Sequence, residues 1–389
     1  MSGAGPEHEL IERTRSVLPA VRAAAERTEQ GRRVPPEVVA ELTAAGAFRV
    51  CLPASLGGEE SHPATLVRLV EEVARADGST GWCVAIGATS SLAAAYLPEH
   101  AAHEIYGTDA SAVTGGVFAP RGRARITDDG YVASGRWPFS SGVDHCSWLM
   151  GGCVVMDGEQ PRMLPDGVPE TRMVLFPRAE ALVHDTWHVS GLRGTGSHDI
   201  EVEGLSVPRD YSVSLTHDAP REQGPLYRFP VFGVLAVGIA SVSLGIARDA
   251  IDELVRLAGG KTPVGARRSL AQRSTVQAEV ARAEAELGAA RAFLFYAIDE
   301  GWSEALAGEI SIARRAQLRL ACTQATTGAA RAVDRMYNAG GGTSIYETSR
   351  LQRAFRDVHA ATQHVMVSPA IWELIGRLLL GLETDTAML

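Results

Sequence analysis

The chain has 389 residues, more than one hydrophobic core usually supports, so two or three packed units are expected. Hydrophobic residues make up 46% and charged residues 21%, which excludes a largely disordered or fibrous chain. The formal net charge of -9, without a Lys/Arg-rich run, argues against nucleic acid as a partner.

The five cysteines are scattered along the chain, and none forms a CxxC pair. This spacing predicts neither a disulfide framework nor a zinc site, and it is typical of a reducing compartment. The N-terminal sequence MSGAGPEHELIERTRS has acidic residues and no apolar core, which speaks against a secretory signal. We therefore expect a cytoplasmic protein without a metal site.

Helical periodicity dominates from about residue 7 to 108, where apolar positions recur every three or four residues, as in VLPAVRAAAERTEQ and TLVRLVEEVARA. Pro35 and Pro36 fit the first turn of a helix, and Gly46 fits its end. The pattern predicts an N-terminal helical domain over residues 1–110.

Short β-prone runs separated by Gly, Pro and Asp replace the helical pattern from about residue 111 to 215. Examples are ARITDDGYVASGRW, SWLMGGCVVM and DIEVEGLSVP. These runs predict a central β domain over residues 111–218, built as a barrel or a sandwich.

Long Ala-, Leu- and Arg-rich stretches follow and predict a C-terminal four-helix bundle over residues 219–389. The predicted helices are 231–258, 270–300, 303–338 and 350–380. The uncharged run FPVFGVLAVGIASVSLGIA is nearly long enough to span a bilayer. Its glycines and serines, and the charged helical sequence that continues it, favour a buried core helix over a membrane span.

Two glycine-bearing tracts in the β region are candidates for ligand binding. GRWPFSSGVDHCSW places Ser140 and Ser141 in a turn, where hydroxyls and N–H groups can bond to a planar polar ligand. GLRGTGS places Arg193, Thr195 and Ser197 among glycines, and it is neither a Walker loop nor a GxGxxG motif. Taken singly, each tract is also compatible with an ordinary loop.

A third tract, YNAGGGTSIYETSRLQRAFRDVHAATQH, interrupts two helices with three glycines that let a cofactor approach the backbone. His359 and His364 are five residues apart, so they do not share the helical ridge expected of a metal pair. A lone helical histidine is more often structural, and that interpretation stays open for both residues at this point.

Together the tracts resemble the acyl-CoA dehydrogenase superfamily, and most closely its branch of two-component flavin monooxygenases that hydroxylate aromatic compounds. The resemblance spans nearly the whole chain, through DGSTGW, YLPEHAAHEIYG, GRWPFSSG, GLRGTGS, AQRSTVQAEVA and AGGGTSIYETSRLQRAFRDVHAATQH. It implies a mainly α fold with a central β domain, assembled as a homotetramer. It also implies reduced FMN or FAD as cofactor, O2 as co-substrate, a small aromatic substrate and a separate NAD(P)H:flavin reductase.

By the same resemblance, residues of all three tracts would surround the flavin, some of them across a subunit boundary. Ser140 or Ser141 would lie at its N5 and O4 edge. The predicted flavin contacts are Trp137, Phe139, Ser140, Ser141, Arg193, Thr195, Ser197, Arg273, Gln277, Gly340, Gly341 and Gly342. Residues Trp82, Ser90 and Phe118 would line the substrate pocket.

The resemblance also separates oxygenase from dehydrogenase. Many dehydrogenases of this superfamily carry a catalytic glutamate at the position of Val365, and valine cannot accept a proton. Its neighbour His364 matches the histidine of the monooxygenase branch. The implied mechanism forms a flavin C4a-hydroperoxide from reduced flavin and O2, with the Ser140 and Ser141 hydroxyls stabilising the N5 side. His364 would help deprotonate or orient the substrate.

The substrate is less constrained. Ser90 stands where phenol hydroxylases of this branch often carry a histidine, which favours a bulkier aromatic polyketide, an indole or an amine over a simple phenol. The Ala/Arg-rich composition suits specialised metabolism such as antibiotic biosynthesis. Three alternatives remain: N-hydroxylation of an amine, an acyl-CoA dehydrogenase with a relocated glutamate, and a non-catalytic helical scaffold.

Overall fold

The computed structural model describes residues 6–262 and 267–389, so the first five residues of the predicted N-terminal domain lie outside the description. The described chain runs from helices through strands to helices, in the predicted order. The helices that precede the strands are α1 (Pro6–Gly31), α2 (Pro36–Ala44), α3 (Pro63–Ala76), α4 (Gly78–Ser90) and α5 (Glu99–Ala102).

Local sequence signals explain where two of these helices begin and end. Pro35 precedes α2 and Gly46 follows it in the left-handed region at φ 84°, so both predicted signals are confirmed. The Asp77 carboxylate caps α4 by accepting from the Thr80 N–H at 2.8 Å. Because α4 is buried on almost every side, it lies in the centre of the molecule.

The described strands form one continuous mixed sheet, and this sheet is the β domain that the sequence predicted. They are β1 (Thr114–Ile126), β2 (Gly130–Ser140), β3 (Trp148–Asp157), β4 (Gln160–Pro161), β5 (Thr171–Pro177), β6 (Leu182–His184), β7 (His198–Pro208) and β8 (Ser212–Val213). Their order is β6-β7-β2-β1-β3-β5-β8, with β4 beside β3. Strands β1 and β3 are parallel, and the other pairs are antiparallel.

The indole of Trp137 is enclosed among the strands of this sheet, against glycines of β1 and β3. It is completely buried, and its Nε1 donates to the Gly152 carbonyl at 2.7 Å. A Cβ atom on Gly122 or Gly151 would come within 2.3 or 2.6 Å of the indole. These glycines therefore make room for Trp137, which is the packing reason for their place in the strands.

The helices after the sheet differ from the predicted set in their boundaries. They are α6 (Pro225–Arg228), α7 (Val231–Gly260), α8 (Ser274–Ala307), α9 (Ile312–Gly340), α10 (Arg350–Ala361) and α11 (Ala370–Leu379). The prediction of one helix over 350–380 is wrong, because a short 3₁₀ turn at Val365–Val367 separates α10 from α11. Pro369 contributes to this break, since the residue before a proline disfavours the helical region.

Helix α7 is long and apolar enough to cross a membrane by length and composition alone, yet 89% of its most apolar window is buried inside the structure. It packs against α3, α4 and α9. The prediction of a buried core helix is therefore confirmed.

Candidate active site

A chain of buried hydroxyl groups joins α4 to the ends of two strands. The Nε1 of Trp82 on α4 donates to the Oγ of Ser141, the residue that follows β2, at 3.0 Å. The Ser141 and Ser197 Oγ atoms lie 2.8 Å apart, and Ser197 lies 2.7 Å from the Thr195 Oγ1. The structure thus brings together residues that the sequence placed in separate tracts.

Ser140, the last residue of β2, carries a hydroxyl that is fully buried and has no hydrogen-bond partner among the described residues. Phe139 before it has a φ of 69°, in the left-handed region that phenylalanine seldom adopts. The pairing of β2 with β7 also shifts register between Trp137 and Ser140. Strained backbone beside an unsatisfied buried hydroxyl is typical of a ligand site.

The ring of His364 contacts the ring of Trp82, whose Nε1 is bonded to Ser141. The two rings meet edge to face, with centroids 5.5 Å apart. The His364 Nδ1 accepts from the Met366 N–H at 3.3 Å, so the neutral ring carries its proton on Nε2. Burial, and secondarily the positive charge of Arg319, lowers the pKa of His364 to about 4. The imidazole is therefore neutral near pH 7.

Val365 occupies the position at which many dehydrogenases of the family carry their catalytic glutamate. Val365 is 64% exposed, so its side chain faces away from the contact between His364 and Trp82. Among the described residues the buried glutamates are Glu170 and Glu253, and each is paired with arginines. Neither is free to act as the relocated base of an acyl-CoA dehydrogenase.

The loop of residues 191–197 is shaped by packing against helices. A Cβ atom on Gly191 would lie 2.0 Å from the Arg356 carbonyl of α10, and one on Gly194 would lie 2.4 Å from Thr28 of α1. These glycines therefore allow contact between the loop and the helices, whereas the sequence had suggested that they admit a ligand. Within the loop, Thr195 and Ser197 are buried and Arg193 is exposed.

Asp357 holds this loop, a role that the sequence did not reveal. Its Oδ1 accepts from the Leu192 N–H at 2.6 Å, across 165 positions of sequence. Leu192 itself has a φ of 52°, and its carbonyl accepts from Trp187 and Thr195 at 3.0 and 2.8 Å. Burial raises the pKa of Asp357 to about 7. The backbone of Leu192 is thus fixed from both sides.

The arginines of the third tract are also structural. Arg353 and Arg356 both pair with Glu29 of α1, while Arg350 pairs with Asp249 and Glu253 of α7. These pairs join α10 to the helices beside it. They explain the Arg-rich start of that helix without a ligand.

The remaining predicted flavin contacts form a second group at the far end of α10. The Gly340 carbonyl accepts from the Lys261 Nζ at 2.7 Å, and the Lys261 carbonyl accepts from the Leu270 N–H, which brings the start of α8 to the Gly340–Gly342 turn. Arg273 and Gln277 lie there and are exposed. Helix α10 has 12 residues and is therefore about 18 Å long, and His364 follows its other end.

Trp82, Ile86 and Ser90 occupy one face of α4 on successive turns, because they are four residues apart. Ile86 and Ser90 keep accessible surface on a helix that is otherwise buried. Phe118 of β1 packs edge to face on Phe232 of α7, with centroids 4.8 Å apart. Ile86 was missed from the sequence, where an apolar residue on a helix indicates only core.

The first group of residues fits the predicted flavin. Ser140 offers a buried hydroxyl without a partner, and the Ser141–Ser197 pair extends the row of polar atoms. The ring of Phe139 is 65% exposed beside them and can cover a planar ligand. Trp137 is different, because its indole is enclosed in the sheet and its side chain cannot reach a ligand from there.

Comparison with known proteins shows similar chains over nearly the full length. The family models described as acyl-CoA dehydrogenase N-terminal and C-terminal domains match residues 7–106 and 237–369. Indole-3-acetate monooxygenase of Pseudomonas putida is 34% identical and aligns over 91% of this chain and 89% of its own.

Two solved structures are similar over nearly the full chain. The 3-HSA hydroxylase from Rhodococcus sp. RHA1 superposes with a TM-score of 0.90 at 29% identity, covering 98% of this chain and 99% of its own. XiaF from Streptomyces sp., solved in complex with FADH2 and glycerol, gives a TM-score of 0.89 at 27% identity and covers 97% and 96%.

Proposed function

The chain belongs to the acyl-CoA dehydrogenase family, in its branch of two-component flavin-dependent monooxygenases, and we propose that it hydroxylates an aromatic or polyketide-type substrate in specialised metabolism. As an enzyme of this branch it uses O2 and reduced FMN or FAD, and the reduced flavin comes from a separate reductase. The observation that carries the proposal is the packing of neutral His364 on Trp82, which is hydrogen-bonded to Ser141.

The chemistry divides between the cofactor and the protein. Reduced flavin, when bound, supplies the electrons that activate O2 for transfer of one oxygen atom. In the proposal the Ser140 Oγ bonds to the flavin edge and so gains the partner that it lacks within the described chain. Ser141 keeps its position because Trp82 and Ser197 hold its hydroxyl. Both serines thus orient the ring without rearranging the hydroxyl chain.

The proposed role of His364 follows from its tautomer. With Nδ1 occupied by the Met366 N–H, Nε2 is the atom that carries a proton and is free to donate. Donation from Nε2 to a phenolate or carbonyl oxygen would orient the substrate and hold a phenolate in its ionised form, in which the electron-rich ring is the nucleophile towards the oxygen donor. The geometry favours orientation by His364 over removal of a proton by it.

The proposed substrate pocket lies along α4. Trp82, Ile86 and Ser90 present one face of that helix. The packed rings of Phe118 and Phe232 are proposed as the opposite wall. A largely apolar wall with one hydroxyl suits a polycyclic aromatic or an indole better than a small polar phenol. The exclusion of water by these side chains would also protect the reactive oxygen donor.

We further propose that the enzyme acts in the cytoplasm as a homotetramer. The described cysteines are free and buried, which suits a reducing compartment. Arg273, Gln277 and the Gly340–Gly342 turn are mostly exposed and lie at the opposite end of α10 from His364, a helix about 18 Å long. Their position supports a role in binding the phosphate or ribityl portion of a flavin held by a second copy of the chain.

The proposal is tested by supplying the protein with reduced flavin from an unrelated reductase, ¹⁸O₂ and a panel of indoles, phenols and aromatic polyketides. We expect at least one compound to gain a single ¹⁸O atom at a ring carbon. An oxygen on nitrogen would point to N-hydroxylation instead. Release of hydrogen peroxide alone with every compound, or reduction of the bound flavin by an acyl-CoA without air, would contradict the proposal.

A further inference from the structure

Arg319 is a buried cation that has no acidic partner among the residues that the structure describes. It lies near the end of the second turn of α9 and is 1% exposed. Its Nη2 donates to the Met366 carbonyl at 3.1 Å and its Nη1 to the Met388 carbonyl, while its Nε has no partner among the described residues. A buried charge that is balanced only by carbonyl groups is costly, so its retention calls for a specific role.

One of the two acceptors belongs to the turn that holds His364. Met366 receives a hydrogen bond from Arg319 through its carbonyl and donates its own N–H to the His364 Nδ1. The Val367 N–H also donates to the His364 carbonyl at 3.0 Å, which closes the turn. Arg319 therefore fixes the residue that sets the tautomer of His364.

The other acceptor belongs to the segment of residues 385–389, which folds back onto α9 and α11. Leu389 is 3% exposed and packs with Ala316, Ile371 and Ile375 in a small core of its own. The Leu389 N–H donates to the Thr386 carbonyl at 3.0 Å, so the segment forms a turn that presents the Met388 carbonyl to Arg319. The position of the guanidinium thus depends on the packing of this segment.

We propose that Arg319 is a positioning residue for the monooxygenase reaction, tying residues 385–389 to the Met366 turn and so holding the His364 ring against Trp82 with Nε2 free to donate. The inference rests on the proposed function. A planar guanidinium can reach two carbonyls at fixed angles, whereas the single ammonium of lysine cannot match both directions. The interaction explains why an arginine stands here in the core.

The charge of Arg319 acts on His364 as well. It adds to burial in lowering the pKa of that imidazole. The Trp82 ring of α4, which contacts His364, is uncharged, and α7 and α9 also pack on this turn. Arg319 of α9 is the charged group that shifts the pKa of the imidazole. Loss of Arg319 therefore predicts a looser ring whose pKa moves towards the ordinary value of about 6.5.

The test compares Arg319→Met and Arg319→Lys with Leu42→Ala as a control for loss of stability. Leu42 of α2 is fully buried in the main core, which is a different cluster from that of Leu389, so its truncation destabilises the protein and leaves Arg319 and residues 385–389 in place. Two quantities are measured: the NMR titration of His364, assigned with His364→Gln, and the hydroxylated product formed per reduced flavin consumed.

For Arg319→Met we expect a rise in the pKa of His364 and a loss of product per flavin of about tenfold or more, since a displacement of about 1 Å can cost 10²-fold in rate. Arg319→Lys keeps the low pKa but loses part of the product yield. Leu42→Ala lowers the melting temperature and leaves both readouts unchanged.

Wild-type titration and wild-type yield in Arg319→Met would overturn the inference. If that variant does not fold, Leu389→Ser decides, because it releases the Met388 carbonyl and leaves Arg319 in place. It should lower the yield, and an unchanged yield would count against the tie. If the wild-type protein hydroxylates nothing, the proposed function fails, while the titration still shows whether Arg319 controls His364.

Discussion

At the scale of single residues, Ser140 has a hydroxyl that stability alone does not explain. A buried hydroxyl without a partner destabilises a protein by about 1–3 kcal/mol relative to a bonded one. We therefore predict that Ser140→Ala leaves the ligand-free protein as stable as the wild type or more stable, and weakens its binding of reduced flavin. Thermal unfolding and anaerobic flavin titration measure the two effects.

Ser141→Ala is the matched control for this experiment, because the two serines are neighbours and differ in their bonding. The Ser141 hydroxyl contacts both Trp82 and Ser197, so its removal leaves buried polar groups unpaired and should lower the melting temperature. A loss of stability in Ser140→Ala equal to that in Ser141→Ala would contradict the distinction.

His364 gives a prediction about pH. Its folded-state pKa of about 4 is depressed below the ordinary value of about 6.5, so between these values the unfolded chain binds a proton that the folded chain does not. The contribution of His364 to the free energy of unfolding therefore rises with pH through this window and is constant above it.

The measurement is the difference in unfolding free energy between the wild type and His364→Gln across that window. The opposite contribution of Asp357, whose raised pKa of about 7 makes stability fall as pH rises, is present in both proteins and cancels. A difference that is independent of pH would show that folding does not lower the pKa of His364.

Ser140 and Ser141 stand out in the sequence as neighbouring hydroxyls in a glycine-bearing tract, whereas the predicted role of His364 came from the family resemblance. Arg319 was not recognised, since one arginine in a long Arg-rich helix carries no sign of burial. Trp137 was assigned to the flavin from its place in the tract, and alternation along a strand does not say which face meets a ligand. The sequence gives the type of each side chain but does not show in which direction it points.

At the scale of elements, the 191–197 loop depends on its close approach to α10. Gly191→Ala would place a Cβ atom 2.0 Å from the Arg356 carbonyl, and backbone cannot give way as a flexible side chain can. We predict that this substitution displaces the loop, lowers the melting temperature and abolishes flavin binding. Circular dichroism and flavin titration test it.

Gly288→Ala is the control for that substitution. Gly288 lies inside α8 with open space around its Cα, so alanine should stabilise the helix by about 1 kcal/mol and leave flavin binding unchanged. Tolerance of alanine at both glycines would show that the loop is not held against α10 as described.

The order of elements was predictable because periodicity changes sharply near residues 111 and 219. The break between α10 and α11 was not, although it positions His364. The residues around it, ATQHVMVSP, keep helical spacing up to the proline, and the turn is stabilised by contacts with Arg319 from another helix. Tertiary contacts decided the local structure here.

At the scale of the whole molecule, the described chain leaves large apolar side chains exposed near the second group of flavin contacts and on α11. Ile345, Tyr346, Leu379 and Leu380 are each more than 60% exposed. Such surface is usually covered by a partner. We predict a particle of four times the chain mass of 41.3 kDa by light scattering, and a smaller one for Tyr346→Glu. A monomeric wild type that binds flavin fully would contradict the assembly.

The overall architecture was predictable from the sequence to the extent that it follows from local patterns and from the family resemblance. The contacts that assemble the site were not. The hydrogen bond between Asp357 and Leu192 spans 165 positions of sequence, and the contact of Trp82 with His364 joins the helices before the sheet to those after it. A single sequence carries no record of such pairs.

The central claim, that His364 directs oxygen transfer at a flavin site lined by Ser140 and Ser141, is tested most directly by a single turnover. Wild-type protein and His364→Ala are each loaded with one equivalent of reduced flavin, mixed with O2 and an accepted aromatic substrate, and assayed for product per flavin. We expect close to one product per flavin from the wild type. His364→Ala should oxidise the same flavin with a yield lower by about 10²-fold, the usual range for loss of such a group, and release hydrogen peroxide. Equal product yields from the two proteins would contradict the account.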